Sequence, residues 1–399
     1  MQEEKFPYID RLDETVLDEA ILRFGTPTYV FDVEQAKKRA RAFRGIIGQA
    51  ADLCYAMKAN PFLVRAMAEE VNRIEVCSMG EFRICKQKEI PAEKLLISGV
   101  MKDRDDLWEI LETYGNRCHY TIESLNQYAI LNEWARSSGK KVPVYLRLTS
   151  GNQFGMDEET LTNIVELEQD KDLLEICGIH YFSGTQKKRK KTLEELTYLD
   201  EVFARLKKKT GYQVTELEYG PGLAVPYFAR QADERFETLE AIADALAKMQ
   251  WQGKVTLEMG RAFVADCGYY ITTVKDTKRS GDQNYCIIDG GMHQVNYDGQ
   301  IRGMYQPKLT IRPQGARGIY QNWTICGELC TGNDILVQNI KIDDLRVGST
   351  IIFENTGAYA VTEGMALFLS HVLPAVVLYN PVGGFTQVRA RRETYVWNS

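Results

Sequence analysis

The sequence predicts an α/β protein, a (β/α)8 barrel followed by an all-β domain. Two observations carry this. From about Thr26 to Ile288, short β-rich runs alternate with stretches of helical period, and after about Tyr270 the texture changes to strand-and-turn segments. Repeated β-then-α units imply parallel strands joined by helical crossovers. Eight or so strands lie between Leu53 and Glu258 with no GxGxxG after the first, which favours a closed barrel over an open doubly wound sheet.

The elements follow in order. TPTYVFD is the first β run and fits either domain. The helical VEQAKKRARAFRGIIGQ comes next, then DLCYAMKA with the helical NPFLVRAMAEEVN, RIEVCS with GEFRICKQKE, and KLLIS with KDRDDLWEILETYG. CHYTI, VPVYLRL, ICGIHYF, LEYG and KVTLEM continue the series. YYITTVKDTKRSGDQNYCIIDGG, TICGELCTGNDILVQNIKID and STIIFENTGAYA then show few helical periods. The expected domains are a barrel over 33–272 and a β-rich domain over 273–399, joined by the segment 1–32.

Composition narrows the function classes. A chain of 399 residues, 44% hydrophobic and 26% charged, buries a full core and is neither disordered nor a small disulfide scaffold. A net charge of −6 offers no global field for nucleic acid. The nine cysteines are scattered without a CxxC pair, the pattern of free thiols in a reducing compartment. The acidic N-terminus lacks the apolar core of a signal peptide. Gly364 to Tyr379, interrupted by Ser370, His371 and Pro374, is too short to span a bilayer. A cytoplasmic protein with no membrane partner is expected. His119, His293 and His371 have no metal-ligand spacing, so no metal is expected.

In a (β/α)8 barrel, chemistry sits at the C-terminal ends of the strands. Lys58 in YAMKAN ends an apolar run there, and a desolvated lysine has a depressed pKa suited to Schiff-base chemistry. A snorkelling strand-end lysine explains the same spacing. Glu258 in TLEMGRAFVA is placed either to bond a protonated ring nitrogen or to cap a helix. Gly220 and Gly222 in LEYGPGLAVPY, with Gly184 and Thr185 in HYFSGTQ, can bare backbone N–H groups to a phosphate, though turns alone account for them. The run Lys187, Lys188, Arg189, Lys190, Lys191 reads as a solvated helix start or as a docking patch for an acidic partner.

Taken together these segments resemble the fold-type III pyridoxal-phosphate decarboxylases, the diaminopimelate, ornithine and arginine decarboxylase family that shares its barrel with alanine racemase. The resemblance runs from TPTYVFD to ENTGAYA in the family's order. It implies a (β/α)8 TIM barrel of the alanine racemase type, pyridoxal 5'-phosphate as cofactor, and a carboxy-lyase that works as a homodimer. On that resemblance Lys58 carries the cofactor, and Glu258, in EMGR where the family has EPGR, pairs with the pyridinium nitrogen. Gly222, Thr185 and Tyr359 of the GAY segment form the phosphate site. Arg261, Arg147, Glu75, Ser78 and Glu81 match supporting positions. Phe182 stands where the family stacks a histidine on the ring, and His180 matches the outer histidine of that segment. Cys330 of GELC matches the GPxC cysteine, which reaches the partner subunit's active site and protonates the carbanion left by decarboxylation.

The substrate side departs from the diaminopimelate branch, which holds its substrate's distal end with the arginine and tyrosine of RPALY and a glutamate after the cysteine. Here Gln306, Thr310 and Thr331 stand at those places, with Asp334 nearby. The butirosin-pathway type, which decarboxylates glutamate held on a carrier protein, is the nearer resemblance. It shares the cysteine-threonine pair, the VPYF run Val225 to Phe228 and a non-histidine aromatic at the stacking position. The expected function is therefore decarboxylation of the α-carboxylate of an amino acid with a neutral or carrier-linked distal end, with an acidic carrier protein as partner. The alternatives are a racemase on the same fold, disfavoured because alanine racemase puts an arginine where Glu258 stands, and a degenerate decarboxylase that only binds partners, from which Lys58 or Cys330 would be expected to be lost.

Overall fold

The computed structural model describes residues 11–313 and 318–399. The chain forms two compact units. One comprises Ala40–Val225 with Glu234–Ala262; the other takes the chain up to Arg39, Pro226–Asp233 and Phe263–Ser399. After β1 (Thr28–Asp32), the first unit holds β2 (Asp52–Ala56), β3 (Arg73–Val76), β4 (Leu95–Ile97), β5 (His119–Ile122), β6 (Val142–Leu148), β7 (Leu174–Phe182), β8 (Glu216–Gly220) and β9 (Lys254–Met259). These eight strands pair in sequence order, all parallel, and β9 closes on β2 to complete the barrel. Strands such as VPVYLRL are buried throughout, as parallel strands covered on both faces must be. Polar residues start the crossover helices. The side chains of Asp103, Ser124 and Asp157 accept the N–H groups of Asp105, Gln127 and Thr160, and Gly139 (φ 66°) ends the helix Leu125–Ser138.

Charged side chains enter the barrel interior. Arg73 on β3 reaches Tyr145 Oη on β6 at 2.9 Å and Glu218 Oε2 on β8 at 2.5 Å. Such bonds between non-adjacent strands require these side chains to point inside. Burial pushes the Glu218 carboxyl up to about 7, against the pull of Arg73. Two residues further along the same strands, in keeping with their period of two, lie Glu75, Arg147 and Gly220.

The second unit contains β10 (Gly268–Ser280), β11 (Gln283–Ile288), β12 (Leu309–Arg312), β13 (Tyr320–Cys326), β14 (Ile335–Asp343), β15 (Thr350–Glu354), β16 (Ala375–Asn380) and β17 (Gly384–Arg389). Its sheet runs β14-β13-β11-β10-β1-β16-β17, with β15 pairing β10 and β12. Leu17, Ala20, Val30, Tyr269, Ile271 and Ile352 form an apolar cluster here. Gly357 belongs here for a steric reason, since a Cβ at that position would lie 1.8 Å from the Val264 carbonyl oxygen.

Several elements differ from the sequence expectation. TPTYVFD is resolved in favour of the β unit, where β1 pairs antiparallel with β10 and parallel with β16. The expected boundary at 272 falls inside β10, so the barrel unit ends at Ala262 and begins at Ala40 instead of 33. NPFLVRAMAEEVN forms only the short helix Val64–Ala68, because the Asn60 side chain accepts the Phe62 N–H and closes a separate turn over Pro61–Leu63. All nine cysteines are free thiols. No helix among the described residues is long and apolar enough to cross a membrane.

Replacing Arg73 with Met leaves Glu218 buried without its cation, and such broken pairs cost about 3–5 kcal/mol. Urea unfolding of Arg73→Met should show a loss of that order at pH 8. The loss should shrink at pH 5, below the raised Glu218 value of about 7, where the carboxyl takes up a proton.

Candidate active site

Lys58 lies two residues beyond β2, in a single turn over Met57–Ala59, not on the strand itself. Asn60 N–H donates to the Met57 carbonyl at 3.0 Å, and Tyr55 Oη donates to the Asn60 carbonyl at 2.9 Å, which holds the turn. Lys58 Nζ is 2.8 Å from Glu75 Oε2 on the neighbouring strand. The side chain of Glu75 is 2% exposed and that of Lys58 37% exposed, so the carboxylate anchors an amine that solutes can reach. Cys77 completes the cluster, its Sγ 3.1 Å from Glu75 Oε1 and 3.5 Å from Lys58 Nζ. Burial pushes its thiol well above the usual range. Ser78 stands at the head of a helix. Its hydroxyl caps the helix Met79–Gln87 by accepting the Glu81 N–H, while Glu81 reaches back to the Cys77 N–H at 2.7 Å.

Glu258 is the penultimate residue of β9, and His180 on β7 meets it across the barrel, with Nε2 2.9 Å from Glu258 Oε2. Burial, with Arg147 adding to it, lowers His180 to about 3. The ring is therefore neutral and its Nε2–H donates to the carboxylate. Arg147 on β6 pairs with Glu123 at 2.9 Å, and its guanidinium lies 4.8 Å from the Phe154 ring centroid. Glu123 also accepts the Gly155 N–H at 3.3 Å. Lys102, lowered to about 8 by burial, donates to the Gly99 carbonyl, Thr121 Oγ1 and Gln127 Oε1.

The turns after β7 and β8 touch. Gly222 (φ 61°) faces Gly184 (φ 133°), and a Cβ on Gly222 would lie 2.2 Å from the Gly184 carbonyl oxygen. Only glycine permits that approach with that backbone. Thr185 is exposed beside this cradle, and Phe182 packs on Gly220, where a Cβ would lie 2.4 Å from Phe182 Cδ2. The basic run that follows is not one surface. Lys187 turns inward, with its side chain 7% exposed, and donates to Glu195 Oε2 at 2.6 Å, Ser183 Oγ at 3.1 Å and the Gly220 carbonyl at 3.2 Å. Arg189 pairs with Glu234 at 3.4 Å, and only Lys188, Lys190 and Lys191 are exposed.

Arg261 is half-buried and opens the helix Arg261–Val264 directly after β9. In the β unit, Tyr359 is half-buried with φ 63°, a left-handed backbone uncommon outside glycine. Cys330 is exposed in the turn between β13 and β14, with Thr331 half-buried beside it. Gln306 is exposed, and Thr310 on β12 donates to Glu354 Oε1 at 3.3 Å. Asp334 is engaged within the β unit. It is 2% exposed, and its two oxygens accept the N–H groups of Met292 at 2.8 Å and Leu329 at 2.9 Å, clamping two loops together.

The barrel rim suits pyridoxal phosphate on its own geometry. A reachable amine after β2, a carboxylate at the end of β9 and a glycine turn after β8 sit on consecutive strands, offering an attachment point, an acceptor for a protonated ring nitrogen and backbone of the kind that can approach a phosphate closely.

The family described as pyridoxal-dependent decarboxylase, pyridoxal binding domain, matches residues 33–265, more than half of the chain. The chain belongs to the pyridoxal-dependent decarboxylases. An L-glutamyl-[BtrI acyl-carrier protein] decarboxylase of Niallia circulans is 26% identical over 394 residues, covering 92% of each chain. A diaminopimelate decarboxylase of Aquifex aeolicus is 26% identical over 382 residues, covering 88% of each. The crystal structure of diaminopimelate decarboxylase from M. jannaschii with L-lysine superposes at a TM-score of 0.84 with 23% identity, covering 94% of this chain and 92% of that one, and confirms the fold. The protein is thus a pyridoxal-phosphate-dependent amino-acid decarboxylase, a carboxy-lyase built on a closed barrel.

For this decarboxylase the sequence reading missed Cys77, Glu123, Lys102 and Glu195. Each is a polar residue at or near a strand end or on a crossover helix, and only the barrel's register shows what it faces.

The neutral His180 gives a pH signature. Between about 3 and 6.5 the unfolded ring takes up a proton that the native ring refuses, so stability is lost as pH falls through that window. The contribution is about 1.4 kcal/mol per pH unit. Urea unfolding of His180→Gln, which keeps a donor toward Glu258, should show a shallower acid-side fall than wild type by close to one proton.

Proposed function

We propose that Lys58 carries the cofactor and that the enzyme removes the α-carboxylate of an amino acid whose distal end is neutral or linked to a carrier protein. The observation that carries the substrate reading is the absence of charge at Gln306, Thr310 and Thr331, together with the likeness to a decarboxylase whose substrate is an acyl-carrier-bound glutamyl group. A free diaminopimelate brings a distal ammonium and carboxylate, and each loses several kcal/mol of effective hydration if left unpaired on entry. Hydroxyl and amide side chains satisfy an amide, ester or thioester without charge.

In this reading the bound cofactor supplies the sink for the electron pair released as CO2 departs. Glu75 orients Lys58 and keeps its amine beside a carboxylate. Glu258 holds an anionic acceptor for the ring nitrogen's proton, and His180 Nε2–H fixes the plane of that carboxylate. The Gly184 and Gly222 turns would hold the phosphate, with Thr185 as a further contact; Phe182 would face the ring, and Arg261, Arg147 and Ser78 would support the pocket. Cys330 delivers the proton that replaces the carboxylate. The active site is shared within a homodimer, with Lys58 from one protomer and Cys330 from its partner. Since Lys187 faces inward, a carrier would meet Lys188, Lys190 and Lys191 only.

CO2 release from a panel of free and acylated amino acids tests the substrate assignment. A neutral-ended or carrier-linked compound should exceed free diaminopimelate, ornithine and lysine in kcat/KM. A diaminopimelate value near 10⁴ M⁻¹s⁻¹, of about the ordinary enzyme range, above every neutral-ended compound, would overturn it. The shared site is tested by mixing Lys58→Ala and Cys330→Ala proteins under subunit exchange. Random reassortment should restore about one intact site in four, whereas a mixture as inactive as its parents despite demonstrated exchange refutes the arrangement.

A further inference from the structure

Outside the barrel the fold assembles three ligand-type side chains that the sequence keeps far apart. His293, Glu328 and His371, all in the β unit, bring one ligand atom each to within 4.8 Å of one another. Glu328 Oε1 is 3.4 Å from His293 Nε2 and 3.3 Å from His371 Nδ1. The ligand atoms of a tetrahedral zinc, at about 2.0–2.2 Å from the metal, stand roughly 3.3–3.6 Å apart. Both short edges of the triad therefore match the edge of such a tetrahedron.

A second observation points to a ligand. The side chain of His293 is fully buried, yet neither of its ring nitrogens makes a hydrogen bond. A buried imidazole left in that state costs free energy unless something else takes the lone pair. The side chains of Glu328 and His371 are 30% and 28% exposed, which leaves an approach from solvent.

The three residues are also held in place before any ion arrives. Asp334 clamps the Met292 and Leu329 N–H groups, the neighbours of His293 and Glu328, and Glu328 N–H donates to the Gly290 carbonyl at 2.8 Å. Gln294 Nε2 donates to the Val372 carbonyl at 2.8 Å, tying the His293 turn to the His371 segment, while Thr394 Oγ1 holds the His371 carbonyl at 2.7 Å. Preorganised ligands lose little entropy on metal binding.

We propose that His293, Glu328 and His371 form a site for a divalent cation of the zinc class, with three protein ligands and one open position. Two imidazoles and one carboxylate suit a borderline ion and do not suit magnesium or calcium, which take oxygen shells. Glu328 lies two residues before Cys330 on the same turn, so the ion fixes the segment that carries the thiol.

The test uses the holoenzyme stripped of metal with a chelator, then equilibrated with Zn2+ or with Mg2+ and dialysed. Zinc content by elemental mass spectrometry should reach one ion per chain, with no retention of magnesium, and Co2+ substitution should give the visible bands of a four-coordinate ion. His371→Asn and Glu328→Gln, both at partly exposed positions and checked by circular dichroism, should each weaken zinc binding more than about 100-fold, beyond what changes to outer partners cost. Cys330→Ser should retain the zinc. Equal zinc affinity in wild type and both ligand variants would overturn the proposal, and so would loss of zinc in Cys330→Ser alone.

Discussion

The structure depends on keeping charge inside a closed parallel barrel. Strands buried on both faces still alternate their side chains with a period of two, so every inward polar residue enters a low-dielectric space where an unpaired charge is costly. The barrel meets this with ion pairs: Arg73 with Glu218 across it, and Arg147 with Glu123 and Lys58 with Glu75 between neighbouring strands. The neutral His180 and the Glu258 carboxylate are joined by a hydrogen bond. Lys58 differs from the others in being part-exposed on its side chain while its partner Glu75 is not. That asymmetry leaves the amine available for chemistry and keeps its anchor out of water.

Glycine sets the second constraint. The turns after β7 and β8 approach so closely that Gly222 has no room for a Cβ beside the Gly184 carbonyl. The inward Lys187 depends on the same approach, since its Cε would lie 2.6 Å from a Cβ on Gly222 and its ammonium reaches the Gly220 carbonyl. A glycine-rich turn and a buried lysine that looks misplaced in sequence are therefore one packing solution.

The barrel and the β unit were legible in the sequence because their signals are local. Lys58 and Glu258 each end an apolar run within a short motif, and β-then-α alternation does not depend on distant partners. What the sequence did not show involves long-range pairing. Asp334 in TGND has the composition of an exposed turn, yet its oxygens are taken by the N–H groups of Leu329 and of Met292, 42 residues away. Lys187 sits in a run of like charges that reads as solvated, and only Glu195 on the following helix reveals its direction. Ser78, which the family resemblance sets among the supporting positions around Lys58, also caps a helix, and the S-x-x-E spacing to Glu81 marks that cap locally. His293 and His371 are separated by 78 residues, and no spacing rule connects them.

The state of His180 bears on how the proposed chemistry would work. A protonated imidazole 2.9 Å from Glu258 would hold the carboxylate in an ion pair and compete with any cationic ring nitrogen brought to it. Burial excludes that state by lowering the ring to about 3, so the histidine gives the carboxylate a hydrogen bond without giving it a counter-charge. The Arg147 guanidinium acts in the same direction, and it is itself neutralised by Glu123. Glu258 is thereby oriented by a neutral donor, and the place of a counter-charge is left to the partner that would arrive with the cofactor in the proposed chemistry. A decarboxylase needs that balance at the ring nitrogen, because the proton held there decides how readily the ring accepts electrons from the breaking carbon–carbon bond.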